Sequence, residues 1–223
     1  MVVRGAAPRE APVASTTAAA TVVVHVRAVA RAVDGHNGRV SAERLTGRLL
    51  VATPLIDEGV FHRSVILVLQ HGDDGAQGVV LNKPLTAEVD AILPGWGDHV
   101  SEPATLFQGG PVQLDSALGL VATSATAVSS VQELWPGVGL VDLDAVPALV
   151  ASQVEAVRVF VGYAGWSPGQ LEGELRTGSW YAVDARREDT FTLDPDALWA
   201  QVLRRQPGEL SWVALLPEDP SIN

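Results

Sequence analysis

The chain contains no cysteine, which excludes a disulfide framework, a thiolate metal site and a cysteine nucleophile. Lysine is reduced to one residue, Lys83, against fourteen arginines, a bias that follows genome composition more often than chemistry. Long apolar runs are also missing. The longest strongly apolar stretch, Val65 to Leu69, falls far short of the roughly 18 residues that a membrane-crossing helix needs. These absences predict a soluble protein of a reducing, cytoplasmic compartment. What is present, 47% hydrophobic and 18% charged residues over 223 positions, excludes wholesale disorder and suffices for one large domain or two small ones.

Charge is unevenly spread. Residues 1–40 hold five arginines against Glu10 and Asp34, a net of +3, so the remainder carries −14. A domain this acidic repels a phosphate backbone, and no basic recognition helix is visible, so direct DNA binding is disfavoured. Arg4 and Arg9 precede a short apolar stretch from Ala18 to Val24, but His25, Arg27 and Arg31 interrupt it. Residues 1–40 are therefore expected to form a disordered or partly helical extension rather than a secretory leader, with one domain over residues 41–223.

Within that domain, aliphatic and β-branched runs bounded by Gly, Pro and Asp predict strands at Arg48–Ala52, Ser64–Gln70, Gln77–Leu81, Leu118–Thr123 and Val157–Gly162. The run Val65–Leu69 has no polar alternation, which predicts a strand covered on both faces. Asp73-Asp74-Gly75 supplies hairpin turn chemistry. Helices are expected over Asp144–Ala156, over Ser167–Arg176 and after Asp194-Pro195, where Leu198, Trp199, Val202 and Leu203 form one apolar stripe. The whole reads as an α+β domain with a mixed, barrel-like sheet flanked by a few helices.

Gly165-Trp166-Ser167-Pro168-Gly169 spells G-x-S-x-G between a predicted strand and a predicted helix, the setting of a nucleophile elbow. Two features oppose it. The oxyanion hole needs the N–H of the residue after the serine, and Pro168 has none. All five histidines precede Ser167, against the usual chain order. A helix cap explains the segment better: Ser167 at N-cap, Pro168 at N1 and Gln170 at N3, reaching back.

Other polar groups gather at strand ends. His71, Asp73 and Asp74 match no metal-ligand spacing, and no metal is expected there. Arg63 precedes the most buried strand and is suited either to clamping an anion through its planar fork of donors or to pairing with Asp57 or Glu58. Asn82-Lys83-Pro84 presents an amide and an ammonium at a rigid turn, and Gly109-Gly110-Pro111 permits close backbone approach without the Lys and Ser/Thr of a P-loop. Trp166, Gln170 and Glu172 set an aromatic wall beside an amide and a carboxylate. Glu172 and Glu174 stand two apart on different helical sides and do not form a paired-carboxylate site.

The blocks Pro54-Leu55-Ile56-Asp57, Phe61-His62-Arg63-Ser64-Val65, His71 with Gly75-Ala76-Gln77-Gly78-Val79-Val80-Leu81-Asn82-Lys83-Pro84, Gly109-Gly110-Pro111-Val112, Gly162 to Glu172 and Glu218-Asp219-Pro220-Ser221-Ile222-Asn223 resemble, in order, the AlgH/YqgE family of bacterial proteins. The resemblance covers Gly47 to Asn223 and implies a compact α+β fold in a bacterial cytoplasm. Family members carry the label of transcriptional regulator, without established catalytic residues. We therefore expect a non-catalytic binding or regulatory module without a cofactor. Its small-molecule or protein partner would be held in one cleft formed by Arg63, Asn82, Lys83, Gly109, Gly110, Trp166, Gln170 and Glu172. The alternative is a hydrolase acting through Glu172 or a metal near His71.

Overall fold

The computed structural model describes residues 45–124, 128 and 130–217. The expected 1–40 extension and the Glu218–Asn223 block lie outside them. The strands are β1 (Arg48–Ala52), β2 (Val65–Gly72), β3 (Gly75–Val80), β4 (Phe107–Gln108), β5 (Val112–Ala122), β6 (Val131–Trp135), β7 (Val138–Val141), β8 (Ala156–Trp166) and β9 (Trp180–Asp184). They form one sheet in the order β6-β7-β5-β8-β3-β2-β1-β9, antiparallel throughout that path. The two-residue β4 adds a parallel pairing to β8, which makes the sheet mixed.

Period-two alternation sorts the strands between three apolar clusters. Leu49 and Val51 of β1, with Val65, Leu67 and Leu69 of β2, face a central cluster capped by Leu198, Trp199, Val202 and Leu203 of α3 (Leu198–Arg204). Leu120 of β5 and Phe160 of β8 reach the same cluster, so the sheet curls around it. Leu50, Ala52, Ile66 and Val68 face the opposite side, under Leu171 of α2 (Gln170–Arg176). Val65 to Leu69 is thus covered on both faces, as the unbroken apolar run predicts. The far half of that outer face is covered by Val89, Leu93 and Trp96 of the loop after β3 and by Val150 of α1 (Pro147–Ala151). Among the described residues the curl stays open, because β6 and β9 each pair on one side only.

β8 joins the two halves. Its residues Ala156 to Tyr163 pair with β5, and Ala164 to Trp166 pair with β3. At the changeover stands Gly162, with φ +67°, a value that side-chain-bearing residues rarely adopt. The alternation slips there by one residue: Phe160 and Tyr163 both serve the central cluster, while Val159 and Ala164 serve the two outer ones.

The β2–β3 hairpin forms at Asp73-Asp74-Gly75, with Gly75 at φ +111°. The predicted helix over Asp144–Ala156 shrinks to α1, because Ser152 Oγ and Gln153 Nε2 both donate to Leu149 O (2.8 Å each) and end it before the ladder at Ala156 begins. The helix predicted from Ser167 starts at Gln170. Gly169, at φ +76°, is its N-cap, and no side-chain cap bond is made. The back-reach of Gln170 is present, its Oε1 accepting from Ser167 N–H at 3.0 Å, but the reciprocal bond, from a backbone N–H to the serine Oγ, is not.

Candidate functional site

The sequence-predicted residues fall into two groups at opposite ends of β3, not into one cleft. At the end where β2 begins, Arg63 occupies the left-handed region at φ +47°, one of two non-glycine residues at positive φ among the described residues. Such a conformation costs on the order of 1–3 kcal/mol and persists only when neighbours over-determine it. Here Asn82, at 5% exposure, does so from both sides: its Nδ2 donates to Arg63 O (2.9 Å) and its Oδ1 accepts from Val65 N–H (2.9 Å). Lys83 Nζ donates to His62 O at 2.8 Å, bracing the same turn.

The Arg63 side chain runs to the central cluster, where its guanidinium carbon lies 4.6 Å from the Trp199 ring centroid, within cation–π range. Its Nη2 donates to the carbonyls of Leu216 (2.6 Å) and Pro217 (2.5 Å). Neither Asp57 nor Glu58 pairs with it, so the expected alternative of a local ion pair is not realised. Two buried atoms beside it, His62 Nδ1 and Ser64 Oγ, have no hydrogen-bond partner.

Gly109 and Gly110 lie behind this turn and are buried, so they do not present N–H groups to a ligand. Gly109 N–H donates to Val161 O (2.8 Å), and its carbonyl accepts from Val80 N–H (2.8 Å). A Cβ on Gly109 would stand 2.3 Å from Gly162 O, and one on Gly110 2.2 Å from Tyr163 C. The glycines admit the chain's own strand rather than an external group.

The second group surrounds α2. His71, its side chain 5% exposed, accepts from Leu45 N–H at Nδ1 (3.2 Å). That bond assigns the ring proton to Nε2, which faces Glu172 Oε1 at 2.9 Å. Glu172 titrates below its ordinary range, chiefly because its carboxylate accepts a main-chain hydrogen bond, and further through His71 and Arg176. Glu174 points the other way, as the spacing predicts. Its Oε2 accepts from both indoles, Trp166 Nε1 and Trp180 Nε1 (2.8 Å each), and its Oε1 from Gln170 Nε2 (2.9 Å). Trp166 and Trp180 meet edge to face at 6.2 Å. Trp166 is a core residue at 7% exposure rather than an open ligand wall. Among the described residues, no group of three or more His, Asp or Glu side chains could hold a metal ion, and no helix is long and apolar enough to cross a membrane.

Sequence reasoning missed Trp199 as the platform under Arg63 and missed Arg158 altogether. The apolar stripe around Trp199 marked it as core, and nothing local links it to residue 63. Arg158 interrupts the aliphatic run of β8, which was the available signal. It is 1% exposed, lies 4.4 Å over the Phe107 ring, and donates to Thr190 O (3.0 Å), Glu102 O (2.8 Å) and Thr192 O (2.8 Å). Burial lowers its pKa to about 10.

A family model described as AlgH-like matches residues 49–211. A UPF0301 protein of Streptomyces coelicolor is 48% identical over 192 residues, spanning 84% of this chain and 100% of that relative. Among solved structures, a Corynebacterium diphtheriae protein aligns with TM-score 0.71 and 32% identity, over 75% of this chain and 90% of that one. The solution structure of the AlgH protein from Pseudomonas aeruginosa aligns with TM-score 0.60 and 26% identity, over 79% and 96% respectively.

Proposed function

We propose that this chain, which belongs to the AlgH-like family, is a non-catalytic binding module with a regulatory role, and that Arg63, supported by Asn82 and Lys83, takes an anionic group of its ligand. The observation that carries this reading is a guanidinium laid on an aromatic face, held by a strained turn, with only neutral carbonyls as acceptors among the described residues. Neutral acceptors engage only its Nη2 and leave its charge unmatched among the described residues, and Arg presents a planar fork suited to a carboxylate or phosphate. The unpartnered His62 Nδ1 and Ser64 Oγ mark the same turn as one with polar capacity in reserve.

The hydrolase alternative has less to build on. Both imidazole nitrogens of His71 are engaged, one with a backbone N–H and one with Glu172, so no free nitrogen remains to accept a substrate proton. Ser167 is exposed and precedes a proline, without a base beside it. These features support binding over turnover.

The test combines native mass spectrometry of freshly purified protein with titration by inorganic phosphate and by citrate, followed at the Arg63 side-chain Nε–H resonance. A saturable shift of that resonance, or a retained anionic mass that Arg63→Gln loses, is the expected outcome. A silent resonance under both anions in folded protein, with no retained mass, refutes the anion site, and turnover of any substrate refutes the non-catalytic reading.

A further inference from the structure

A second place on the molecule is built like a binding site, and nothing described so far uses it. Beside the ends of β5 and β8 lies a cleft of about 570 Å³, inside the range typical of small-molecule sites. One wall is the segment 186–194, a single helical turn over Arg187–Thr190 followed by a non-helical stretch, and its position is fixed from three directions by arginines. Arg158 reaches up from β8 to the carbonyls of Thr190 and Thr192. Arg187 pairs with Glu155, which precedes β8. Arg205 grips both carboxylate oxygens of buried Asp189. A surface loop tied down in this way has little freedom left to lose when something enters beside it, which favours binding.

The lining selects the ligand. Ala122 and Ala156 form an apolar floor, and Phe191 and Leu193 an apolar wall, with Leu193 left 77% exposed. The acids are Glu155, Glu188 and Asp194. The lining's one cation, Arg187, is committed to Glu155, so Glu188 and Asp194 leave the cleft net negative, and the Gln201 amide completes its polar side. An anion would be repelled. We infer that this cleft is a binding site for a small organic cation, an ammonium or guanidinium carried on an apolar body, with Glu188 and Asp194 facing the charge and Phe191 and Leu193 covering the body. This site is separate from the Arg63 turn and does not depend on it.

Phenethylamine, with an ammonium on an aromatic body, is the probe, and 3-phenylpropionate, with a carboxylate on the same body, is its control. Each is titrated into the full chain and followed by amide chemical shifts. Phenethylamine should shift Thr192, Leu193 and Gln201 saturably, with affinity falling as salt rises, and the control should not. Glu188 is exposed and makes no structural bond, and Asn at position 194 retains the oxygen that accepts from Ala197 N–H, so E188Q and D194N should both fold. Each should weaken the amine about threefold, and the pair about tenfold, the scale of partly exposed charge contacts. Absence of amine shifts at the cleft, equal binding of the carboxylate, or unchanged affinity in the double variant would each overturn the inference.

Discussion

Replacing Arg158 by methionine should destabilise the protein by about 3 kcal/mol, and the figure follows from opposed contributions. The guanidinium satisfies three backbone carbonyls, those of Glu102, Thr190 and Thr192, at 2.8 to 3.0 Å. Bonds from a charged donor contribute about 1.5 kcal/mol each at the low end, or roughly 4–5 together. Contact with the Phe107 face at 4.4 Å adds on the order of 1–2 kcal/mol. Against this stands the expense of burying the charge. A pKa lowered by burial to about 10 corresponds to roughly 3 kcal/mol of desolvation. Methionine escapes that penalty and fills much of the volume, but it strands three carbonyls, and the stranding wins. Urea titration followed by tryptophan fluorescence reads the loss as a midpoint lowered by about 1.5 M for a slope near 2 kcal/mol/M. Arg158→Lys separates geometry from charge: a single ammonium cannot span three diverging acceptors, so it should fall within about 1 kcal/mol of the methionine variant. A methionine variant whose midpoint stays within about 0.3 M of the parent, at an unchanged slope, would refute the reasoning.

Two further outcomes test the α2 region. Ser167→Ala should change stability by less than about 0.5 kcal/mol, because its hydroxyl accepts no N–H of the helix, whereas Gly169→Ala should lose about 1 kcal/mol at φ +76°, both read by urea midpoints. The Glu172 carboxyl has a folded pKa below its unfolded value, so between the two the unfolded chain binds more protons. Its contribution is therefore complete above the ordinary carboxylate range and is lost as pH falls through the lowered pKa. Midpoints measured from pH 6 to pH 3 should fall less steeply in Glu172→Gln than in the parent, and identical slopes would count against this assignment.

Strands were legible wherever burial on both faces left an unbroken aliphatic run, so β1 and the core of β2 stand where the sequence puts them. β6 and β7 were missed for a physical reason. Gln132 and Glu133 face outward in β6, and Gly139 interrupts β7 because a Cβ there would stand 2.5 Å from Val131 Cγ1. Pro136-Gly137 between them, with Gly137 at φ +87°, is the one local turn signal of this hairpin. At the candidate site, the polarity of strand ends singled out Arg63 and Asn82 as cleft residues, and the fold joins these two in one turn. What the chain could not disclose were partners far along it: Trp199 beneath Arg63, and the Leu216 carbonyl 153 residues away. Proximity in a curled sheet is decided by the ladder, and local patterns carry no record of it.

The strand that changes partners at Gly162 has a consequence for how the molecule comes apart. Since β5 and β3 both depend on neighbouring stretches of β8, with no break in the chain between them, pulling either ladder open removes an edge from the other. Neither flank is an independent melting unit, and the protein should lose its amide protection in a single cooperative event.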